Sequence, residues 1–306
     1  MVETIGVHRS VEAVFPAAEL RERLAELPPS VEVVDDPAGV DALVTFTYEE
    51  SFLDAGLRWV HSIQSGVDRF PFEAMEASDI ALTNSNGIHA DVVGETVAGY
   101  LLSFARRLHR YRSNQTRGEW DRPAWDEAFT VGGETVCVVG LGTLGRGAAA
   151  RADALGMDVI GVKRTPTPVD HVREVYPSTE LREAISDARF VVLAVPLTPA
   201  TEGLVGADEL AAMGEDAYLV NVARGGVVEQ SALVSALEAG KIRGAALDVF
   251  ETEPLPEESP LWGMEEVIVT PHAAAATGAY VDRIAALVRE NVRRIDAGES
   301  MANRVV

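Results

Sequence analysis

The stretch VCVVGLGTLG, residues 136–145, decides the fold of this chain. Its apolar first half predicts a buried strand, and a Gly-x-Gly-x-x-Gly turn follows directly and opens a helix. Glycine permits the tight turn, lets backbone approach a phosphate, and lets the helix pack closely on the strand. The start of that helix adds unpaired N–H groups and the positive end of a dipole. The stretch therefore predicts a dinucleotide site formed by Gly140, Gly142, Thr143, Leu144 and Gly145.

This turn lies in the middle of the chain, so the dinucleotide domain is expected to be inserted into another domain. Apolar strands at 4–8, 31–34, 42–46 and 59–63 alternate with helices near 17–26 and 71–77, which predicts a parallel sheet. One long helix is predicted over 90–116, and a last helix over about 277–297. Further strands are predicted at 136–140, 157–162, 190–195, 217–222, 244–249 and 267–270.

The predicted class is α/β with two Rossmann-like domains. A doubly wound parallel-sheet cofactor domain, residues 99–277, is inserted into a flavodoxin-like substrate domain, residues 1–98 plus 278–306.

The charge balance is strongly acidic, with a net charge of −22 from 48 acidic and 26 basic residues. Only Lys163 and Lys241 are lysines. The acids are scattered, which indicates a solvated acidic surface that repels nucleic acid and anionic lipid. Molar salt shortens the screening length to about 3 Å and relieves the self-repulsion. We therefore expect a salt-adapted cytoplasmic protein from a halophile, with an ordinary acidic protein as the alternative.

The sequence excludes several classes of protein. No apolar run reaches the roughly 18 residues of a membrane span, and no secretory signal is visible at the N-terminus. The single cysteine, Cys137, allows no internal disulfide, and no Cys/His spacing suits zinc. We expect neither membrane insertion nor a metal site.

The end of the second predicted strand indicates which dinucleotide binds. An enzyme that prefers NAD places an acidic residue there for the ribose 2′-hydroxyl. This chain has Lys163, Arg164 and Thr165 instead, two cations and a hydroxyl that suit a 2′-phosphate. The prediction is NADP(H), with NAD(H) as an alternative cofactor; the other interpretation is that these are surface charges.

Three polar residues follow later strands of the same domain: Arg224, Glu253 and His272. The carboxyl ends of parallel strands share one edge of the sheet, where ligands bind. Arginine can grip a carboxylate with two hydrogen bonds, and histidine can exchange a proton near neutral pH while a carboxylate fixes its orientation. Together they predict a catalytic site for a small carboxylic acid.

With these motifs in place, the chain resembles the D-isomer-specific 2-hydroxyacid dehydrogenase family, and its glyoxylate/hydroxypyruvate reductases in particular. The resemblance covers nearly the whole length. It is carried by Gly140–Gly145, Asn221–Gly225, Ala246–Phe250, Glu253–Pro254 and Thr270–His272, and upstream by Leu57–Val60, Ser65–Asp68, Asn84–Gly87 and Glu95.

The resemblance implies NADP(H)-dependent interconversion of 2-oxoacids and D-2-hydroxyacids by hydride transfer at C2. Arg224 would hold the substrate carboxylate and polarise the oxo group, and the N–H groups of Ser65 and Gly66 would bind the carboxylate as well. His272 would be the general acid in reduction and the base in oxidation, with Glu253 as its partner. Asp248 would lie near the carboxamide of the nicotinamide. Further cofactor contacts are implied at Val195, Pro196, Val222, Ala223 and Ala274.

The resemblance also implies a homodimer through the nucleotide domain, with the Trp120–Trp125 loop reaching the partner. Two alternative functions stay open. One is a non-enzymatic dinucleotide sensor or corepressor-like scaffold, which predicts an altered catalytic set or added protein-binding tails. The other is a formate- or phosphite-type dehydrogenase, which substrate tests would separate.

Overall fold

The computed structural model describes residues 2–306, which form two compact units. The first unit extends up to Ile88 and resumes over Thr277–Val306, and the central unit is His89–Ala276. Each unit has its own parallel sheet. This confirms the predicted α/β class with two Rossmann-like domains.

The first unit contains a five-stranded sheet in the order β2-β1-β3-β4-β5, which is the flavodoxin-like order predicted for it. All neighbouring strands are parallel. Strand β5 was not predicted from the sequence. The elements are β1 (Thr4–His8), α1 (Ala17–Leu24), β2 (Ser30–Val34), β3 (Ala42–Thr45), β4 (Trp59–Ser62), α2 (Phe72–Ala77) and β5 (Ala81–Asn84).

The central unit contains a seven-stranded parallel sheet in the order β12-β11-β10-β9-β6-β7-β8. Its strand order reverses at β6, which lies between β9 and β7, and such a switch point is where doubly wound sheets bind ligands. The edge strand β8 was not predicted. The elements are α3 (Ala90–Ala105), α4 (Leu108–Arg117), β6 (Thr135–Val139), α5 (Thr143–Ala154), β7 (Asp158–Lys163), β8 (Glu174–Pro177), α6 (Leu181–Ser186), β9 (Phe190–Leu193), α7 (Ala207–Ala212), β10 (Tyr218–Asn221), α8 (Gln230–Glu238), β11 (Gly244–Leu247) and β12 (Val267–Val269).

The prediction of one helix over 90–116 is wrong, because the chain breaks between α3 and α4. Arg107 has φ 58°, in the left-handed region that ends helices. The reason is tertiary packing. The Phe104 ring stacks on the Tyr218 ring with a centroid distance of 4.5 Å, and it lies edge-to-face with the His109 ring at a centroid distance of 5.1 Å. No glycine or proline marks the break in the sequence.

Helix α3 packs on α5 at very short range. A Cβ at Gly94 would lie 2.4 Å from the Gly147 carbonyl oxygen, and one at Gly147 would lie 1.9 Å from the Ala90 oxygen. Because of this contact, residues 89–98 fall in the central unit, whereas the sequence analysis assigned them to the substrate domain. The domain boundaries given there stay a prediction.

The last helix, α9 (Tyr280–Ala297), belongs to the first unit and packs on α1. The residues after it add to the free edge of β5: Val305 N–H donates to the Leu82 oxygen, and Thr83 pairs with Arg304 in an antiparallel bridge. The first unit is thus assembled from both ends of the chain.

Residues 2–306 lack two features that would point to other classes of function. None of the helices there is both long and apolar enough to cross a bilayer. Likewise, that part of the chain has no group of three or more His, Cys, Asp or Glu side chains arranged to hold a metal ion.

The acidic balance leads to a stability prediction. A net charge of −22 makes the folded chain repel itself in dilute buffer, and salt screens this repulsion. We expect the unfolding temperature to rise by about 5–10 °C between 0.1 M and 3 M KCl, which corresponds to a few kcal/mol in a chain of this size. Differential scanning calorimetry checks this, with sucrose as a non-ionic control. An unfolding temperature that stays flat or falls in KCl would contradict the salt-adapted interpretation.

Candidate active site

The glycine turn after β6 has the geometry that a pyrophosphate needs. Gly140 has φ 96°, and a Cβ there would lie 2.7 Å from the Ala194 carbonyl oxygen on the neighbouring β9 side. A Cβ at Gly145 would lie 1.8 Å from the Gly140 oxygen, so only glycine allows α5 to pack on the turn. Gly142 is exposed with open space at its Cβ position, where backbone can approach a phosphate. The residues present therefore fit a dinucleotide.

The end of β7 lies beside this turn, because Val162 of β7 pairs with Val139 of β6. There the Lys163 ammonium group donates to the Thr167 hydroxyl at 3.0 Å. Arg164 and Thr165 are exposed at the same strand end. The structure thus gathers two cations and hydroxyl groups where a ribose 2′-substituent would lie in this fold.

The other predicted cofactor residues follow β9, β10, β11 and β12, on the same sheet edge. After β9, Val195 is half-buried and Pro196 is exposed. The predicted cofactor residues that follow β10, β11 and β12 are buried. Their contact with the cofactor stays a prediction. The buried ones are Val222, Ala223, Asp248 and Ala274.

Arg224 lies in the turn after β10. Hydrogen bonds from Asn221 and a close contact with Phe250 fix this turn. The Asn221 side chain accepts from the Ala223 N–H at 3.0 Å and donates to the Arg224 carbonyl at 3.1 Å. A Cβ at Gly225 would lie 1.9 Å from the Phe250 carbonyl, so the turn sits directly against the chain after β11. This role of Asn221 was not predicted, although asparagine at a strand end is a signal for such side-chain-stabilised turns.

His272 and Glu253 form a hydrogen-bonded pair at this edge. The Nδ1 atom of His272 is 2.8 Å from Glu253 Oε2, and the other carboxylate oxygen accepts from the Phe250 N–H at 3.1 Å. Both side chains stay partly exposed, at 47% and 35%. The carboxylate favours a proton on Nδ1, so Nε2 is the ring nitrogen available to a substrate.

The backbone of His272 is in the left-handed region, with φ 52°. A non-glycine residue there costs of order 1–3 kcal/mol and persists only when its surroundings fix it. Asp248 supplies that fixation: its carbonyl accepts from the His272 N–H, and its carboxylate accepts from the N–H groups of Ala273 and Ala274, all at 2.8 Å. Asp248 therefore holds the histidine turn, and its predicted place near the carboxamide stays a prediction.

The hydroxyl groups of Tyr100 and Thr270 form a hydrogen-bonded chain that ends on the Asp248 carboxylate. Tyr100 and Thr270 lie 2.6 Å apart, and Thr270 donates to the Asp248 carboxylate at 2.6 Å. Burial raises the pKa of Tyr100 to about 12, so the phenol stays protonated. No sequence pattern indicated this chain, because Tyr100 and Thr270 are 170 residues apart.

Ser65 and Gly66 lie in the first unit, on the loop after β4. The Ser65 carbonyl accepts from the Asn84 amide at 2.7 Å, and its hydroxyl donates to the Ser85 carbonyl at 3.1 Å. Within residues 2–306, no acceptor pairs with the backbone N–H groups of Ser65 and Gly66. Two successive N–H groups of this kind suit an anionic oxygen.

The chain is similar to known dehydrogenases and reductases. Residues 98–274 match the family described as "D-isomer specific 2-hydroxyacid dehydrogenase, NAD binding domain". A glyoxylate reductase of Korarchaeum cryptofilum is 33% identical over 293 residues, which cover 92% of this chain and 87% of that enzyme. A D-3-phosphoglycerate dehydrogenase of Methanocaldococcus jannaschii is 37% identical over 241 residues, which cover 78% of this chain but only 46% of that enzyme.

Solved structures show the same fold over the full length. The NADPH-dependent glyoxylate/hydroxypyruvate reductase of Sinorhizobium meliloti, solved with NADP and sulfate, superposes with a TM-score of 0.84 at 26% identity. The match covers 99% of this chain and 98% of that one.

Proposed function

Because this chain belongs to the D-isomer-specific 2-hydroxyacid dehydrogenase family, we propose that it reduces small 2-oxoacids to D-2-hydroxyacids with NADPH as its preferred reductant. That it is an oxidoreductase using a nicotinamide dinucleotide follows from the family. The observation that carries the proposal is the His272–Glu253 pair at 2.8 Å, on the sheet edge that also carries the glycine turn. Glyoxylate and hydroxypyruvate are the proposed substrates, since named relatives act on them.

The proposed proton path ends at His272. When bound, reduced nicotinamide supplies the hydride that reaches C2. Protonated His272 gives the Nε2 proton to the carbonyl oxygen, while Glu253 keeps the Nδ1 proton in place. In the oxidation direction the neutral ring takes the proton back through Nε2.

Arg224 is the proposed electrostatic partner of this step. A guanidinium can hold the substrate carboxylate with two hydrogen bonds and polarise the neighbouring oxo group. Together with protonated His272 it stabilises the negative charge that develops on the carbonyl oxygen. We also assign the substrate carboxylate to the N–H groups of Ser65 and Gly66.

The NADPH preference rests on Lys163, Arg164 and Thr165. Replacing both Lys163 and Arg164 by alanine should raise the KM for NADPH by about 10–100-fold and the KM for NADH by less than about threefold. The reason is that only NADPH offers a 2′-phosphate for charge-assisted hydrogen bonds. Steady-state kinetics with both cofactors measures this. Lys241→Ala is the matched control, since Lys241 is the other lysine and lies exposed after α8. Equal losses with the two cofactors would refute the phosphate contact.

We further propose a homodimer through the central unit. Trp120 and Trp125, between α4 and β6, are 93% and 94% exposed. Two such aromatic side chains on one short segment are typical of a protein interface. They support the assignment of this segment to a partner subunit.

The overall proposal is tested by following NADPH absorbance in 2–3 M KCl with glyoxylate, hydroxypyruvate, pyruvate, formate and phosphite, the last two with NADP⁺. We expect turnover with one or more of the 2-oxoacids. Turnover only with formate or phosphite would favour the alternative enzyme, and no turnover with any of them would favour the non-enzymatic sensor.

A further inference from the structure

A buried chain of hydrogen bonds lies beneath the Ser65 loop in the first unit. Trp59 Nε1 donates to the Thr83 hydroxyl at 2.8 Å, and that hydroxyl is 2.8 Å from Nδ1 of His61. On the other side of the ring, Nε2 is 3.1 Å from the Ser85 hydroxyl, which donates to the Ser62 carbonyl at 3.0 Å. All five residues are buried, with 2% or less exposed.

The direction of these bonds is fixed by the groups at the two ends. The indole of Trp59 can only donate, so the Thr83 oxygen accepts from it. The Ser85 hydroxyl gives its proton to a carbonyl, so it accepts from a proton on Nε2 of His61. That leaves Nδ1 as the acceptor for the Thr83 hydroxyl. Burial lowers the pKa of His61 to about 3, so the ring stays neutral and a single tautomer satisfies every group in the chain.

This chain ends on the loop that carries Ser65 and Gly66. The backbone N–H of Ser85 donates to the Gln64 carbonyl at 3.0 Å, and its carbonyl accepts from the Ser65 hydroxyl at 3.1 Å. Ser85 therefore bonds to His61 through its side chain and to the loop through its backbone. Ser85 thus links the orientation of the His61 ring to the loop.

We propose that His61 is a positioning residue for substrate binding. Its neutral ring fixes Ser85, and Ser85 fixes the Gln64–Ser65 peptide, which carries the first of the two N–H groups that bind the substrate carboxylate. The inference rests on the proposed function, which assigns those N–H groups to the carboxylate. His61 acts through the loop and does not touch the substrate.

The test compares two replacements of His61 that differ in hydrogen bonding. In His61→Leu the hydroxyls of Thr83 and Ser85 lose their partner, and we expect the KM for glyoxylate to rise about tenfold while kcat and the KM for NADPH stay within about twofold. In His61→Gln the amide offers one donor and one acceptor, so the KM for glyoxylate should return close to that of the wild type.

Asp41→Asn is the matched control for damage to the first unit. The Asp41 carboxylate accepts hydrogen bonds from the N–H groups of Glu3 and Thr4 at the start of β1. This is the amino end of the parallel strands, whereas the loop follows the carboxyl end of β4. This variant should unfold more easily and keep the wild-type KM for glyoxylate. A KM that rises in Asp41→Asn as it does in His61→Leu would overturn the positioning role.

A second readout observes the loop without catalysis. Titration with oxamate should shift the ¹H–¹⁵N signals of Ser65 and Gly66, with a midpoint about tenfold higher in Ser85→Ala, which removes only the hydroxyl that bonds to His61. An unchanged glyoxylate KM in folded His61→Leu, or an unchanged oxamate midpoint in Ser85→Ala, would overturn the inference. Failure of the wild type to reduce any 2-oxoacid would refute the proposed function instead. The role of His61 would then be read from the same oxamate titration of His61→Leu, in which an unchanged midpoint would overturn it.

Discussion

Replacing His272 with alanine should lower kcat for 2-oxoacid reduction by about 10²–10⁴-fold, the range that positioned general acids contribute. The ring that donates the proton through Nε2 is then missing, while the glycine turn after β6 is untouched. The dissociation constant for NADPH should therefore stay within about twofold of the wild type. Stopped-flow kinetics measures the first quantity, and fluorescence titration with NADPH measures the second.

The companion variant is Glu253→Gln, which keeps the shape of the side chain and removes the charge that fixes the Nδ1 proton. It should lower kcat less than His272→Ala does. Glu251→Gln is the matched control on the same loop, because the Glu251 carboxylate accepts from the Gln230 N–H instead of pairing with the histidine. Loss of NADPH affinity in step with activity in His272→Ala would contradict the role as proton donor.

Replacing Arg224 with glutamine should lower kcat/KM for glyoxylate by about 10²–10³-fold, because a bidentate charge-assisted contact is lost and the substrate carboxylate keeps no cationic partner there. Arg224→Lys should recover only part of this loss, since an ammonium group cannot reproduce the planar pair of donors. Steady-state kinetics with glyoxylate at fixed NADPH measures both variants.

Arg243→Gln serves as the control for Arg224. Arg243 is exposed just before β11, at the amino end of the strands, whereas Arg224 follows the carboxyl end of β10. Its replacement should leave kcat/KM close to the wild-type value. A loss of less than about tenfold in Arg224→Gln would contradict the assignment of the substrate carboxylate to this residue.

The main architecture, the glycine turn and the His272–Glu253 pair could be predicted because their signals are local. The spacing of Gly140, Gly142 and Gly145 reflects backbone geometry within one turn, and the structure shows the close contacts that require glycine at Gly140 and Gly145. Glu253 and His272 each follow a strand, and parallel strands bring their ends to one edge. Their pairing could therefore be inferred without any contact information.

The remaining features depend on contacts between distant parts of the chain. The break at Arg107 depends on the packing of Phe104 against Tyr218, and no residue at the break marks it. The role of Asp248 in holding the His272 turn depends on backbone N–H groups, which a sequence does not display. The buried chain around His61 joins β4 to the end of β5, a strand that the sequence analysis did not predict.

The central claim is that hydride passes from NADPH to C2 of a 2-oxoacid and gives a D-2-hydroxyacid. The most direct measurement is the reduction of hydroxypyruvate or pyruvate by NADPH deuterated at C4 of the dihydronicotinamide, in 2–3 M KCl, with analysis of the product by NMR and chiral chromatography. The prediction is a D-2-hydroxyacid with deuterium at C2 from one of the two C4-deuterated epimers. An L-product, or a reduced product without deuterium at C2 from either epimer, would contradict it.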